Sequence, residues 1–466
     1  MTDLKRAIQA VEEDLLPAIR IQGRPQERFG LGERMAHYKV PGIGLALIQQ
    51  DEIVWTGGYG VLEAGGDAPV TGDTLFQAAS ISKPVTAMAA LRLVQEGVLD
   101  LDADVNDELR SWRIPDPGGE HTREQKVTLR GLLSHTAGLS VSGYRGYPAG
   151  ADLPTVRQVL DGDPPANSEP VRVMQEPGSG YSYSGGGYTV VQQLLEDVTG
   201  KPFATLMQEL VLDKLGMVRS TFEQPLPEAM AAGAATAHRS NGEPVPGRWH
   251  TYPELATAGL WTTPSDLARF VVEVLKSEAG ESNVVLSFKV TRQMLTVQEG
   301  SWVGLGPLIV ETEGWTRFEH RGWNEGYHCF FGGWVGTGQG LVWMTNGENG
   351  EMLGDEIMRG LAHVFGWPGF QPAARAVAPI DPALYARYEG RYRYSEEPDY
   401  GAVVVREGDC LFWEDTPDGM RIELYPESET VFFSLERPQR ITFVQGDGGD
   451  VETVLFGPYE RLERAC

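Results

Sequence analysis

The sequence predicts an α+β fold followed by a separate, small all-β domain. Three observations carry this expectation. Within the first 366 residues, strand-like runs over 42–60 and 302–346 bracket helix-patterned segments. Residues 367–382 (WPGFQPAARAVAPIDP) then break the texture with proline and alanine, as a linker does. Beyond them, short β-prone runs recur at a spacing of roughly ten residues with turn residues between, the pattern of a barrel or sandwich. The expected division is therefore 1–366, a linker at 367–382, and a β domain at 383–466.

Taken in order, the first 19 residues (MTDLKRAIQAVEEDLLPAI) read as an amphipathic helix. Acidic residues interrupt them and no cleavage site follows, so they do not read as a signal peptide. No apolar run reaches membrane-spanning length, and the expectation is a cytoplasmic protein. Residues 42–60 (GIGLALIQQDEIVWTGGYG) hold two β-prone runs around Asp51-Glu52 and predict a hairpin. Residues 81–95 carry helical apolar spacing, with Pro84 in the first turn and Gly97 as the stop. Ser80 then stands at the head of a mostly apolar helix. Residues 104–177 are rich in Gly, Pro and Asp and read as loops with short helices. Helices follow at about 187–198 and from Thr263, which serves as N-cap with Pro264 at the first helical position and Asp266 at the third. Strands are expected over 302–346 and a last helix over 352–365. In the β domain the runs are AVVVR, LFWE, RIELY, TVFFS, RITFV and ETVLF.

Composition narrows the function classes. The formal net charge of −26 argues against nucleic-acid and anionic-membrane partners, which reward Lys/Arg patches. The three cysteines, Cys329, Cys410 and Cys466, give no disulfide framework and no zinc spacing. Cys329 lies in the apolar run HCFFGGW and reads as a buried, inert thiol. There is no GxSxG, no HExxH and no complete dinucleotide fingerprint. His121, His238 and His250 lack ligand spacing, and no metal or organic cofactor is expected.

Three segments carry candidate chemistry. In Ser80-Ile81-Ser82-Lys83, serine and lysine three apart share one helix face. Serine needs a neighbour to take its proton, and desolvation lowers a lysine pKa enough to make one. Alone the pattern is weak, since a chain of this length shows SxxK by chance on the order of once. It also fits an N-cap serine beside an exposed lysine. The second segment, Tyr181-Ser182-Tyr183-Ser184-Gly185, precedes a helix. It reads either as packing or as a turn presenting a phenol, whose pKa a nearby ammonium would lower toward a phenolate base. The third, Phe318-Glu319-His320-Arg321-Gly322-Trp323-Asn324-Glu325-Gly326, is a strand whose glycines permit close approach to a ligand. His320 reads as a polar wall, a proton relay or a structural histidine. His135, in LLSHTAG, reads as structural and near the rim of a site.

The order of these motifs resembles the serine β-lactamase and penicillin-binding protein superfamily, closest to the class C β-lactamase-like group with its DD-peptidases, D-aminopeptidases and family VIII carboxylesterases. FQAASISK, LVQEGVLDLDADV, LRGLLSHTAGL, PGSGYSYSGGGYTVVQQLLEDVTG, AGLWTTPSDLARF and HRGWNEG carry the resemblance over about residues 25–365. Residues 383–466 resemble the lipocalin-like β domain of some members. The resemblance implies an antiparallel sheet flanked by helices, a helical subdomain beside it with the site between them, and a small β-barrel. It implies Ser80 as nucleophile, Lys83 and Tyr183 as its activating partners, and the backbone N–H groups of Ser80 and Trp323 as oxyanion hole. His320, Arg321, Gly322, Asn324 and Gly185 are implied to line the substrate pocket.

Two departures from the family pattern matter. Tyr-x-Asn is Tyr183-Ser184-Gly185 here, without the amide that contacts an acylamide group. Lys-Thr-Gly is His320-Arg321-Gly322, where Arg321 keeps a cation expected to pair with a substrate carboxylate. The expectation is a serine hydrolase forming an acyl-enzyme on small esters or peptide-like amides, ahead of a β-lactamase. An acyl transferase or cyclase and a catalytically silent binding protein are the alternatives. The expected partner is a small-molecule substrate, and the β domain would shape the site entrance or build a homo-oligomer.

Overall fold

The structure is a computed structural model of the 466-residue chain, described over residues 3–116, 126–395, 399–416, 419–446, 451–457 and 460–465. His121 and Cys466 lie outside the described residues. The chain divides into two compact units, residues 40–350 and residues 1–39 together with 351–466.

The 40–350 unit is built on six strands: β1 (Gly42–Gln49), β2 (Glu52–Gly60), β3 (Leu308–Thr312), β4 (Trp315–Asn324), β5 (Tyr327–Trp334) and β6 (Gln339–Thr345). They form one sheet in the order β2-β1-β6-β5-β4-β3, with every neighbouring pair antiparallel. The predicted hairpin is present. Its turn residues are Gln50 and Asp51, at φ 52 and 58, one position earlier than the sequence suggests. Two left-handed residues make the turn whose twist matches that of paired strands.

Three helices matter for the site. Helix α1 (Ser82–Gln95) follows a tight turn at Ala79–Ile81 and is buried nearly all round, as its apolar sequence requires. Gly97 stops it at φ 74. Helix α2 (Gly185–Thr199) starts two residues before the sequence reading, because three successive glycines mask its first turn. The Ser184 hydroxyl caps it by accepting from the Gly187 N–H. Helix α3 (Pro264–Glu278) has the predicted cap, with Thr263 accepting from the Asp266 N–H. It packs on β1, β5 and β6, where Phe270 meets Phe331 edge-on at 5.5 Å between ring centres. Between α1 and α2 the chain forms short helices at Leu129–Leu133 and Val156–Asp161.

In the other unit, helix Asp3–Glu13 buries Ala7, Ala10 and Val11 along one face. Helix Gly350–Phe365 carries Glu356, which accepts two bonds from Arg34 at 2.8 and 2.7 Å and one from the Tyr38 hydroxyl at 2.7 Å. Such a fork is the strong form of a charged pair. Within residues 367–382, Ala373–Arg375 form a strand parallel to Ile19–Ile21. The β domain is a closed barrel of eight strands, from Gly390–Arg393 to Glu460–Arg464, in sequential order. It closes where Tyr392 and Arg393 pair with Arg464 and Glu463. Closure leaves no free sheet edge. Its interior is aromatic, with Tyr388 4.7 Å from Phe443 and Phe432 edge-on to both. Among the described residues, no helix is long and apolar enough to cross a membrane.

Candidate active site

The site grows from the turn that precedes α1. Gln77 pairs with Trp261, and the Ala78 N–H donates to the Leu260 carbonyl at 2.8 Å. Ala79 then takes φ 48, an uncommon conformation for a residue with a Cβ. The Ser82 hydroxyl holds this turn: it donates to the Ala79 carbonyl at 2.6 Å and accepts from the Leu260 N–H at 3.0 Å. The result sets Ser80 at the head of the helix, with Lys83 one turn on.

Lys83 is fully buried. Its Nζ donates to Ser80 Oγ at 2.8 Å and to the Thr257 carbonyl at 3.1 Å, and lies 5.0 Å from the centre of the Tyr183 ring. Burial lowers its pKa to about 7. Tyr183 hydrogen-bonds the Ser80 side chain, and burial raises its pKa to about 12 against the lowering effect of that bond. This direction runs against the phenolate expected from the sequence: desolvation acts on the two groups in opposite senses, favouring the neutral form of each.

Two histidines complete the cluster. His135 is buried beside Tyr183 rather than near a rim, at φ 58, with ring centres 4.3 Å apart. Its Nδ1 accepts from the Ser184 N–H at 3.1 Å and its carbonyl accepts from the Ser182 N–H at 2.8 Å, so it grips the tyrosine segment on both sides. His320, on β4, is also buried, with its ring centre 6.5 Å from that of Tyr183. Its Nδ1–H donates to the Arg321 carbonyl at 2.6 Å, which leaves Nε2 as an acceptor without a partner among the described residues. Burial, then the charge of Lys83, push its pKa down to about 3.

Strand β4 reaches the serine turn through Gly322. A Cβ there would stand 2.2 Å from the Ala78 carbonyl oxygen and 2.6 Å from Cys329 Sγ, so only glycine fits. The buried Cys329 thiol donates to the same carbonyl at 3.1 Å. Pairing of β3 with β4 ends at Glu319, so the β3-side edge of residues 320–324 extends beyond the strand that would cover it. Trp323 lies there, 66% exposed as a residue, its Nε1–H bonded to Glu348 at 2.5 Å. Among the described residues, no group of three or more His, Cys, Asp or Glu is arranged to hold a metal ion.

Residues 31–365 match the family described as Beta-lactamase. The chain belongs to the beta-lactamase family. It is 26% identical over 424 residues to Penicillin-binding protein 4* of Bacillus subtilis, a match covering 87% of this chain and 90% of that one. It is 35% identical over 208 residues to Esterase EstB of Burkholderia gladioli, covering 42% of this chain and 49% of the esterase. The octameric penicillin-binding protein homologue from Pyrococcus abyssi shares the fold at a TM-score of 0.63 and 22% identity, over 93% of this chain and 98% of that one.

The two departures from the beta-lactamase family pattern have structural explanations. At Gly185, where the family has asparagine, a Cβ would lie 3.0 Å from Thr257 Cγ2, 3.1 Å from the Ser142 carbonyl and 3.3 Å from the Tyr144 ring. Those three groups crowd the position, and the Gly185 carbonyl accepts from the Thr257 hydroxyl at 2.9 Å. The expectation that Arg321 offers a cation to the substrate is corrected. Side chains alternate across a strand, so Arg321 faces away from His320 and lies over the Phe330 ring at 5.4 Å. Asn324 spends its amide on Gln77 at 2.7 Å and the Ala258 carbonyl at 3.2 Å.

Sequence reasoning missed Ser82 and Thr257, whose partners lie far along the chain, and Glu254. Glu254 is buried with both carboxyl oxygens unpartnered among the described residues, and burial raises its pKa to about 8. Its carbonyl accepts from the Thr257 and Ala258 N–H groups, shaping the turn that delivers the Thr257 carbonyl to Lys83. A carboxyl that keeps its proton when folded and loses it near pH 4.5 when unfolded contributes stability below pH 4.5 that is lost as pH rises through 8. Glu254→Gln is thus expected to raise Tm by several degrees at pH 8.5 and much less at pH 5. Thermal unfolding of both proteins at the two pH values checks this, and a pH-independent difference would contradict it.

Proposed function

We propose that the chain is a serine hydrolase that cleaves small esters or peptide-like amides through an acyl-enzyme on Ser80. The observation that carries this reading is the 2.8 Å bond between Ser80 Oγ and a buried Lys83 whose pKa falls to about 7. In the proposed reaction the Lys83 amine takes the Ser80 proton as Oγ attacks the carbonyl carbon. The N–H groups of Ser80 and Trp323 stabilise the oxyanion, helped by the N-terminal end of α1. The Lys83 ammonium and the neutral Tyr183 phenol supply the proton that the departing alkoxide or amine needs. Water, with Lys83 again as base, then releases the acid and restores Ser80.

Esters and amides rank above β-lactams because Gly185 lacks the amide of the family's asparagine, and Thr257, Ser142 and Tyr144 crowd a Cβ at that position. The test is a parallel assay with p-nitrophenyl butyrate, D- and L-amino-acid amides and a chromogenic cephalosporin. Turnover of the ester or an amide above the cephalosporin, lost in Ser80→Ala, is expected. Undiminished turnover in Ser80→Ala would overturn the reading.

A further inference from the structure

We infer that this site selects esters and amides carrying no carboxylate on either side of the scissile bond. The inference rests on the hydrolase reading and adds the charge class of its substrate. It follows from where the cations and lone pairs around Ser80 point.

A carboxylate presents only acceptors and needs donors or a cation opposite it. Strand β4 offers no cation at the cluster, and its Trp323 N–H is assigned to the oxyanion of the scissile carbonyl. His320 has committed its Nδ1–H to the Arg321 carbonyl, and what remains is the Nε2 lone pair, buried and unpartnered among the described residues. That nitrogen suits a substrate N–H or O–H and opposes a carboxylate oxygen. Arg321 is carried by strand alternation to the opposite face, over Phe330. Lys83 is fully buried and directs its N–H groups to Ser80 Oγ and the Thr257 carbonyl.

The neighbourhood of Trp323 adds negative charge. Glu348 accepts from Trp323 Nε1 and from the Gly326 N–H at 2.7 Å, and the adjacent Glu325 pairs with Arg239 at 3.3 Å, which spends that arginine's charge. Farther out, Arg248 is bound to Thr236 and to the Ala231 and Ala234 carbonyls. A net charge of −26 adds an overall field unfavourable to an anion. An anionic substrate would leave its carboxylate desolvated and facing an acceptor, a juxtaposition that is strongly unfavourable.

Two matched substrate pairs test this on the full chain. p-Nitrophenyl butyrate against p-nitrophenyl hemisuccinate varies the acyl side, and D-phenylalanyl-D-alanine amide against the free dipeptide varies the leaving side. The carboxylate member of each pair is expected to show kcat/KM lower by roughly 100-fold. In His320→Lys, which places a cation at the cluster, the gap should narrow to about tenfold or less. Carboxylate members turned over within about threefold of their neutral partners by the unaltered protein would overturn this inference alone. No turnover of either pair, with no fluorophosphonate labelling of Ser80, would overturn the hydrolase reading and this inference with it.

Discussion

Lys83→Met is expected to lower kcat/KM for ester hydrolysis by about 10⁴-fold while leaving the protein folded. Methionine is unbranched, adaptable and apolar, so it suits a position that is fully buried. What it lacks is the amine that bonds Ser80 Oγ at 2.8 Å. The pH dependence separates a base from a structural lysine. With a pKa near 7, the neutral amine is lost as pH falls, so kcat/KM of the unaltered protein should drop about tenfold per pH unit below 7. The residual activity of Lys83→Met should not show that limb. Stability gives an independent sign. The folded state gives up the Lys83 proton near pH 7 and the unfolded state holds it to about 10.5. The unfolded state therefore binds more protons between those values, and the burial cost is full below pH 7 and fades as pH rises. Lys83→Met should accordingly exceed the unaltered protein in Tm most at acidic pH. A variant with near-normal activity would contradict the assignment of Lys83 as the base.

Gly322→Ala is expected to cost at least about 100-fold in kcat by displacing strand β4 from the serine turn. The added methyl would meet the Ala78 carbonyl oxygen at 2.2 Å and Cys329 Sγ at 2.6 Å; the first is backbone and the second is a buried thiol bonded to that same carbonyl. The strand must move, and with it the Trp323 N–H proposed for the oxyanion hole. Overpacking of this kind costs about 1–3 kcal/mol of stability, so the fold should survive with a lower Tm. Measuring kcat beside Tm decides the point, and a stable Gly322→Ala protein with normal kcat would show that strand and turn need not touch.

These two positions also mark what the sequence makes legible. The Ser80–Lys83 spacing, the Thr263 cap, the hairpin and the recurring β runs are local signals, and local structure follows them. Ser80, Lys83, Tyr183 and His320 lie together in the structure, as the order of motifs suggests. What escapes the sequence depends on burial or on distant partners. The protonation of Tyr183 and Lys83 is set by desolvation, which no local pattern reports. Ser82 works through Leu260, and Thr257 through Lys83 and Gly185. The direction of Arg321 depends on which face β4 turns toward the serine, a matter of register with its neighbours.

The central claim is that Ser80 carries the acyl group. Mass measurement of the intact protein during turnover of a slowly released ester, followed by peptide mapping, tests it most directly. One acyl adduct per chain on the Ser80 peptide, absent in Ser80→Ala, is the predicted result. Turnover with no adduct, or an adduct mapped to another residue, would contradict it.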